Sequence, residues 1–139
     1  MNPILKQGFF VLSLFLIVSC AVTTPKPVPT TEQLNMAAQK LWAARIRQDW
    51  NQVFDLTDKN YQKNYARSEF TSEGGLKKVL SFQIKDIHQT TPFHAETLVS
   101  FKIKKMGYLF NPVIKEFWVY EKRAGWVLDK TRMQNKKPL

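Results

Sequence analysis

The spacing of the hydrophobic positions changes twice along this chain and divides it into three parts. A run of apolar residues, interrupted only by Ser13, occupies residues 9–18. A stretch with three prolines at alternate positions follows at 21–31, and such a pattern favours an extended, non-helical backbone. From residue 32 onward, apolar side chains recur first at helical and then at strand spacing. The pattern predicts a semi-rigid spacer followed by one folded domain.

The first half of the domain has a helical period. Thr30 and Gln33 have the spacing of a capping box at a helix start. The positions that follow at helical spacing are Leu34, Ala37, Ala38, Leu41, Trp42 and Arg45. A second, shorter helix carries Trp50, Val53, Phe54 and Leu56, and a polar segment with Tyr61, Tyr65 and Phe70 predicts short helical turns that end at Gly74-Gly75.

The second half has the period of two that is typical of strands. Strands are predicted at Val79–His88, Ala95–Lys104 and Val113–Lys122, and a tight turn leads into Trp126–Leu128. Ile87 is out of phase with Phe82 and Ile84, which predicts a bulge near Lys85-Asp86. Gly125 suits a left-handed turn position. Helices followed by an antiparallel meander of about four strands indicate an α+β domain.

The N-terminus has the layout of a secretory signal peptide, because Lys6 precedes the apolar run of 9–18. Ten helical residues cover about 15 Å, half of a ~30 Å hydrocarbon core, so an uncleaved spanning helix is the weaker interpretation. The run ends in Ile17-Val18-Ser19-Cys20, and Cys20 is the only cysteine of the chain.

These four residues resemble the lipobox of bacterial lipoproteins. The resemblance implies cleavage before Cys20, a diacylglyceryl group on its thiol and acylation of the new amine. Ala21 stands where that family has an aspartate for inner-membrane retention, so in a Gram-negative host we expect an outer-membrane lipoprotein that faces the periplasm. An ordinary cysteine beside an ordinary cleavage site is the alternative. The expected divisions are a signal peptide at 1–19, a lipidated tether at 20–31, the domain at 32–131 and a basic tail at 132–139.

Charge narrows the class of partner. The chain has 21 Lys and Arg against 11 Asp and Glu, a formal charge of +10. This charge would ordinarily indicate a nucleic-acid-binding protein, but an exported chain is separated from cytoplasmic nucleic acid. We therefore expect an anionic envelope component or an envelope protein, contacted through Lys102, Lys104 and Lys105, unless this excess only solvates the surface.

The domain pattern resembles the nuclear-transport-factor-2-like (cystatin-like cone) superfamily. The resemblance rests on a long first helix, on a second helix that opens with Asp49-Trp50, and on the closing segments Phe117–Tyr120 and Gly125–Asp129. It implies a curved sheet wrapped around the first helix, with a cone-shaped cavity between them. The superfamily includes enzymes, ligand carriers and assembly modules, so the fold does not fix the function.

Candidate chemistry is sparse. Asp86 and His88, near His94 and Glu96, would serve general acid–base chemistry if they converged in the cavity; otherwise they are solvated near a loop. Tyr61, Tyr65 and Tyr120 would supply hydroxyls there, or simply pack their rings. The four tryptophans are expected in the core. Two histidines without a third ligand predict no metal site, and no motif predicts a cofactor.

Three functions remain open, in this order. The first is a non-catalytic envelope lipoprotein that binds a partner or supports an assembly. The second is a small-ligand or lipid carrier that uses the cone, and the third is a hydratase- or isomerase-like enzyme. The third strand is apolar on both sides, through Phe117 and Val119 and through Ile114, Trp118 and Tyr120. This predicts either a homodimer through the sheet or a strand covered within the monomer.

Overall fold

The computed structural model describes residues 28–74, 78–105 and 107–135. The predicted signal peptide, Cys20 and most of the tether lie outside the described residues, as does the end of the predicted tail. The assignments made there remain predictions.

The first helix, α1 (Thr31–Arg47), begins where its sequence predicts. Thr30 accepts from the backbone N–H of Gln33, whose side chain accepts from the backbone N–H of Thr30, so the capping box is confirmed. At the other end Gln48 adopts a left-handed conformation with φ of 59°, and its N–H closes the last turn. This helix is the longest of the described elements, and the sheet packs along it.

Three short helices follow: α2 (Trp50–Asp55), α3 (Lys59–Asn64) and α4 (Arg67–Gly74). Asp49 and Asp58 cap the first two, as short polar side chains commonly do. The end of α4 passes so close to the indole of Trp50 that a Cβ on Gly74 would lie 2.3 Å from the ring. A larger residue at position 74 would force the Trp50 ring to move, so glycine suits this position.

The sheet is antiparallel and has five strands: β1 (Val79–Thr91), β2 (His94–Lys105), β3 (Tyr108–Phe110), β4 (Val113–Glu121) and β5 (Gly125–Leu128). Their order is β1-β2-β4-β5, and β3 pairs with the end of β2. The predicted α+β class with helices on an antiparallel sheet is confirmed. About four strands were expected, and β3 is the additional one.

The predicted irregularities are also present. The pairing register shifts between Ile84 and Asp86, which confirms the bulge and returns Ile87 to the face of Ile84. Gly125 has φ of 78°, the left-handed value expected for it. A final helix, α5 (Lys130–Asn135), packs on β4 and crosses the boundary that the sequence analysis placed between domain and tail.

The core lies between α1 and one face of the sheet, which we call the inner face. Leu34, Leu41 and Trp42 of α1 are almost completely buried against it. The second side of β4 is covered by the same chain, because Ile114 packs near Trp42 and Trp118 is 1% exposed. On the other side Phe117 is 7% exposed and lies under the guanidinium of Arg132 of α5, so the same chain covers both sides, and the homodimer remains a prediction.

We predict that Trp42→Ala lowers the free energy of unfolding by about 3–5 kcal/mol, since a buried indole is lost and a cavity remains. Denaturant unfolding followed by circular dichroism measures the change. Met36→Ala, on the exposed side of the same helix, is the control and should stay within about 0.5 kcal/mol. A loss below about 1 kcal/mol for the Trp42 variant would show that this ring does not support the core.

Candidate functional site

The interior, where the resemblance implies a cavity, contains a buried ion pair. Glu116 of β4 is fully buried, and its carboxylate accepts from the indole N–H of Trp42 at 2.9 Å. Its other oxygen accepts from the guanidinium of Arg45 at 2.7 Å. The Arg45 guanidinium also lies 4.2 Å from the centre of the Trp42 ring. Both oxygens of the acid thus have donors, as a buried carboxylate requires.

Regular secondary structure brings these three residues together. Trp42 and Arg45 are three positions apart on α1 and therefore lie on the same helix face. Glu116 is in register with Thr97 of β2, and both side chains face inward. The sequence carried a signal for Glu116: a carboxylate stands between Ile114 and Trp118 on the side of the strand that is otherwise apolar.

Aromatic packing fills the space around the pair. The Trp42 ring lies 4.8 Å from Phe101 and 5.9 Å from Phe82, measured between ring centres. Trp118 packs farther along the same face and donates its indole N–H to Thr97 at 3.0 Å. Around Trp42 and Trp118 the cone interior is therefore occupied by side chains, and the indole N–H groups of these two residues are hydrogen-bonded.

Asp86 and His88 lie elsewhere, on the outer face of the sheet. They pair in register with Leu98 and Glu96 of β2 and are exposed. Together with Lys115 these residues line an open groove of about 280 Å³. Glu96 is held by Lys115 at 3.0 Å and by Arg132 at 3.7 Å, so this groove is a solvated polar surface.

Both histidines belong to strands, as the sequence predicted for His88. His88 lies within β1 and His94 begins β2, with only a tight turn between the two strands. The Nδ1 atom of His94 lies 3.1 Å from the hydroxyl of Thr91.

A second groove, of about 580 Å³, runs between the start of α1 and the edge strand β1. Its polar residues include Glu32 and Asn35 from the helix and Lys85 and Asp86 from the bulge. This groove is wide and open to solvent. Its charged side chains face solvent and are not enclosed by apolar residues, as catalytic groups commonly are.

Tyr61 and Tyr65 line neither groove. Both are on or next to α3 and stack with their ring centres 5.0 Å apart, and Tyr61 also packs against Phe54 and Phe70. Burial, followed by the neighbouring Tyr65, raises the pKa of Tyr61 to about 12. A hydroxyl with that pKa does not exchange a proton readily near neutral pH, so its main contribution is packing.

The hydroxyl of Tyr65 donates to Glu73 at 3.0 Å, and this hydrogen bond raises the pKa of Tyr65. Tyr120, the third candidate tyrosine, packs edge-on against Trp126. The sequence-predicted pocket residues therefore form two separate groups: Asp86 and His88 on the outer sheet face, and Tyr61 and Tyr65 among the short helices.

The lysines of the predicted basic patch follow one strand. Lys102 and Lys104 are exposed on the outer face of β2, and the side chain of Lys105 is outside the described part of the chain. Beside them lies a feature that the sequence analysis missed: Tyr108, Leu109 and Phe110 of β3 are all exposed. Their only sequence signal was an apolar triplet between Gly107 and Asn111-Pro112.

Within residues 28–74, 78–105 and 107–135, no three acidic, histidine or cysteine side chains are grouped so that they could hold a metal ion. Over the same ranges, no helix has both the length and the apolar composition needed to cross a bilayer.

We predict that Glu116→Ala lowers the free energy of unfolding by about 3–5 kcal/mol, because it leaves the Arg45 charge and the Trp42 N–H without an acceptor. Arg45→Met made in the Glu116→Ala background should then cost less than it does in the wild type. A double-mutant cycle from urea unfolding measures this coupling. Additive losses would contradict the pairing, and Lys115→Ala, a neighbour on the outer face, is the control that should change stability little.

Comparison with known proteins identifies the fold. No protein-family profile matches the chain, and no curated protein matches it. Among solved structures, a SEC-C-motif-containing protein from Psychrobacter arcticus superposes with a TM-score of 0.61 at 9% identity, over 76% of this chain. The chain spans 62% of the length of that protein.

Two more solved structures are similar. A nuclear-transport-factor-2-like protein of unknown function from Shewanella oneidensis has a TM-score of 0.56 at 15% identity, over 70% of this chain and 93% of its own. A ketosteroid isomerase-like protein from Erwinia carotovora has a TM-score of 0.54 at 14% identity, over 70% of this chain and 89% of its own. At these identities the likeness concerns architecture alone, and the domain has a nuclear-transport-factor-2-like fold.

Proposed function

We propose that this protein is an envelope lipoprotein, held in the membrane by acylated Cys20, whose cone domain is a non-catalytic binding module. The observation that carries the second half of this proposal is the filled interior. Trp42 is 1% exposed and is hydrogen-bonded to fully buried Glu116, where a carrier or an enzyme of this fold would need open space. Binding then falls to the outer surface.

The alternative functions have weaker support. A carrier needs a cavity of several hundred cubic ångströms that encloses its ligand. Both grooves among the described residues are open at the surface. A hydratase or isomerase needs its acid and base to face one substrate, whereas Asp86 and His88 lie on the outer face and Tyr61 lies among the short helices.

The compartment and the partner follow from the N-terminal sequence and the charge. The lipobox resemblance, with Ala21 after the cysteine, favours the outer membrane of a Gram-negative host, with the domain in the periplasm. There the basic outer surface with Lys102 and Lys104 suits an anionic envelope component or an acidic face of an envelope protein. Export would also separate the domain from the nucleic acid of the cytoplasm.

We predict that labelled palmitate enters the full chain expressed in bacteria and that Cys20→Ser abolishes this labelling, because the thiol that accepts the lipid is gone. Ser19→Ala is the matched control, since it keeps a small residue before the cysteine and should keep the label. Gel autoradiography and membrane fractionation measure both effects. Continued labelling of the Cys20 variant, or an unlabelled wild type, would contradict the anchor.

A further inference from the structure

The end of the sheet farthest from the tether is a hairpin with exposed apolar side chains. Beyond Ser100, β2 leaves β4 and pairs instead with the three residues of β3. Tyr108 is 73% exposed, Leu109 67% and Phe110 48%. We call these three side chains the hairpin tip.

The tip is a cluster rather than a scatter of surface hydrophobics. Of the nine large apolar side chains exposed among the described residues, four lie within positions 108–113, and the fourth is Val113. The others include Met36 and Phe93, which stand apart from the tip on α1 and at the β1–β2 turn. Single exposed hydrophobics need no explanation, but a cluster marks an interaction surface.

Positive charge lies directly beside the tip. Leu109 is in register with Lys104 and therefore shares its face, and Lys102 lies two residues back along the same strand. Both lysines are exposed, and among the described residues neither is within ion-pair distance of a carboxylate. Their charge is available to an anionic partner.

The tip is apolar on both faces of the hairpin. Because side chains alternate along a strand, Tyr108 and Phe110 point to the face opposite that of Leu109. A flat protein surface, or a second copy of the sheet, would cover only one of these faces. Entry into lipid end-on covers both, with the tyrosine at the depth where its ring and hydroxyl are each accommodated.

We propose that the hairpin tip inserts shallowly into an anionic lipid surface, with Lys102 and Lys104 against the phosphates. The inference rests on the membrane location in the proposed function and names the partner. Membranes with anionic lipids attract basic residues by about 1 kcal/mol each near the surface, roughly a fivefold gain in partitioning per lysine.

The position of the tether is compatible with this. The start of the domain is held at the opposite end of the sheet, where Gln89 donates to the carbonyl of Pro29 and Trp126 donates to that of Thr30. The tip lies beyond Lys105, and Ala95 to Lys105 spans roughly 34 Å of strand. Ten residues from Cys20 to Thr30 also span at most ~34 Å, so the domain can lie along the bilayer that holds the anchor.

The test places an environment-sensitive dye on the tip of the full chain. Cys20→Ser removes the one native thiol, and Leu109→Cys then gives a single labelling site. Vesicles are made either of phosphatidylcholine alone or of equal amounts of phosphatidylglycerol and phosphatidylcholine. The dye at position 109 should shift to the blue and be quenched by lipid-borne quencher with the anionic vesicles. The N-terminal apolar segment is the same in every sample, so the comparison between vesicles and between variants reports on the tip.

Charge is tested in the labelled chain. Lys102→Gln with Lys104→Gln should weaken partitioning of the tip by about 25-fold, the product of two fivefold losses. Lys122→Gln with Arg123→Gln removes the same amount of charge from the exposed β4–β5 turn. This control should change partitioning of the tip by less than about twofold. Val113→Cys offers a second labelling position if the first substitution weakens insertion.

Four outcomes would overturn the proposal. The first is no blue shift of the dye at positions 109 and 113, and the second is an equal blue shift for a dye placed by Met36→Cys. The third is equal insertion into both kinds of vesicle. The fourth is a blue shift that occurs without vesicles and grows with protein concentration. The last would indicate self-association. Failure of acylation at Cys20 would leave this assay unchanged, because its chain lacks that thiol, so the two proposals fail separately.

Discussion

The contact of Trp42 with Glu116, completed by Arg45, determines how the rest of this domain is arranged. A carboxylate at 0% exposure is costly to bury, and here two donors on one helix face balance that cost. The pair fixes the rotation of α1 over the sheet, because only one helix face carries both donors. It also sets the position of the Trp42 ring, against which Phe82 and Phe101 pack.

A filled interior changes where function can be located on this fold. With the cone occupied, the remaining variable surfaces are the two open grooves, the outer lysines and the hairpin tip. The grooves carry charges that are either paired or solvated, as Glu96 is by Lys115. The tip carries apolar area that is not covered by the described residues, and the lysines beside it have no acid partner there. These surfaces support a binding role at a membrane more directly than they support chemistry.

Local sequence rules predicted much of the fold, because the determinants were local. The capping box at Thr30, the bulge near Asp86 and the turn at Gly125 each depend on a few adjacent residues. The strand β3 was missed because three residues do not establish a period.

The site was harder to predict than the fold. Burial of Glu116 depends on Trp42 and Arg45, which are 74 and 71 positions away in sequence. The outer position of Asp86 and His88 depends on which face of β1 the helix covers. The bulge changes which alternate residues of the strand point to that face. Their separation from Tyr61 and Tyr65 depends on how the short helices pack against the sheet, which no local pattern of residues reveals.

Hydrogen exchange at the indole N–H of Trp42 tests the filled interior most directly. Nuclear magnetic resonance can follow this proton, assigned by its loss in Trp42→Phe. We expect it to exchange only as the whole domain unfolds, at the rate of the slowest backbone amides in α1. Exchange as fast as that of a solvent-exposed indole would mean that water enters the cone, and the argument for a purely external binding role would be wrong.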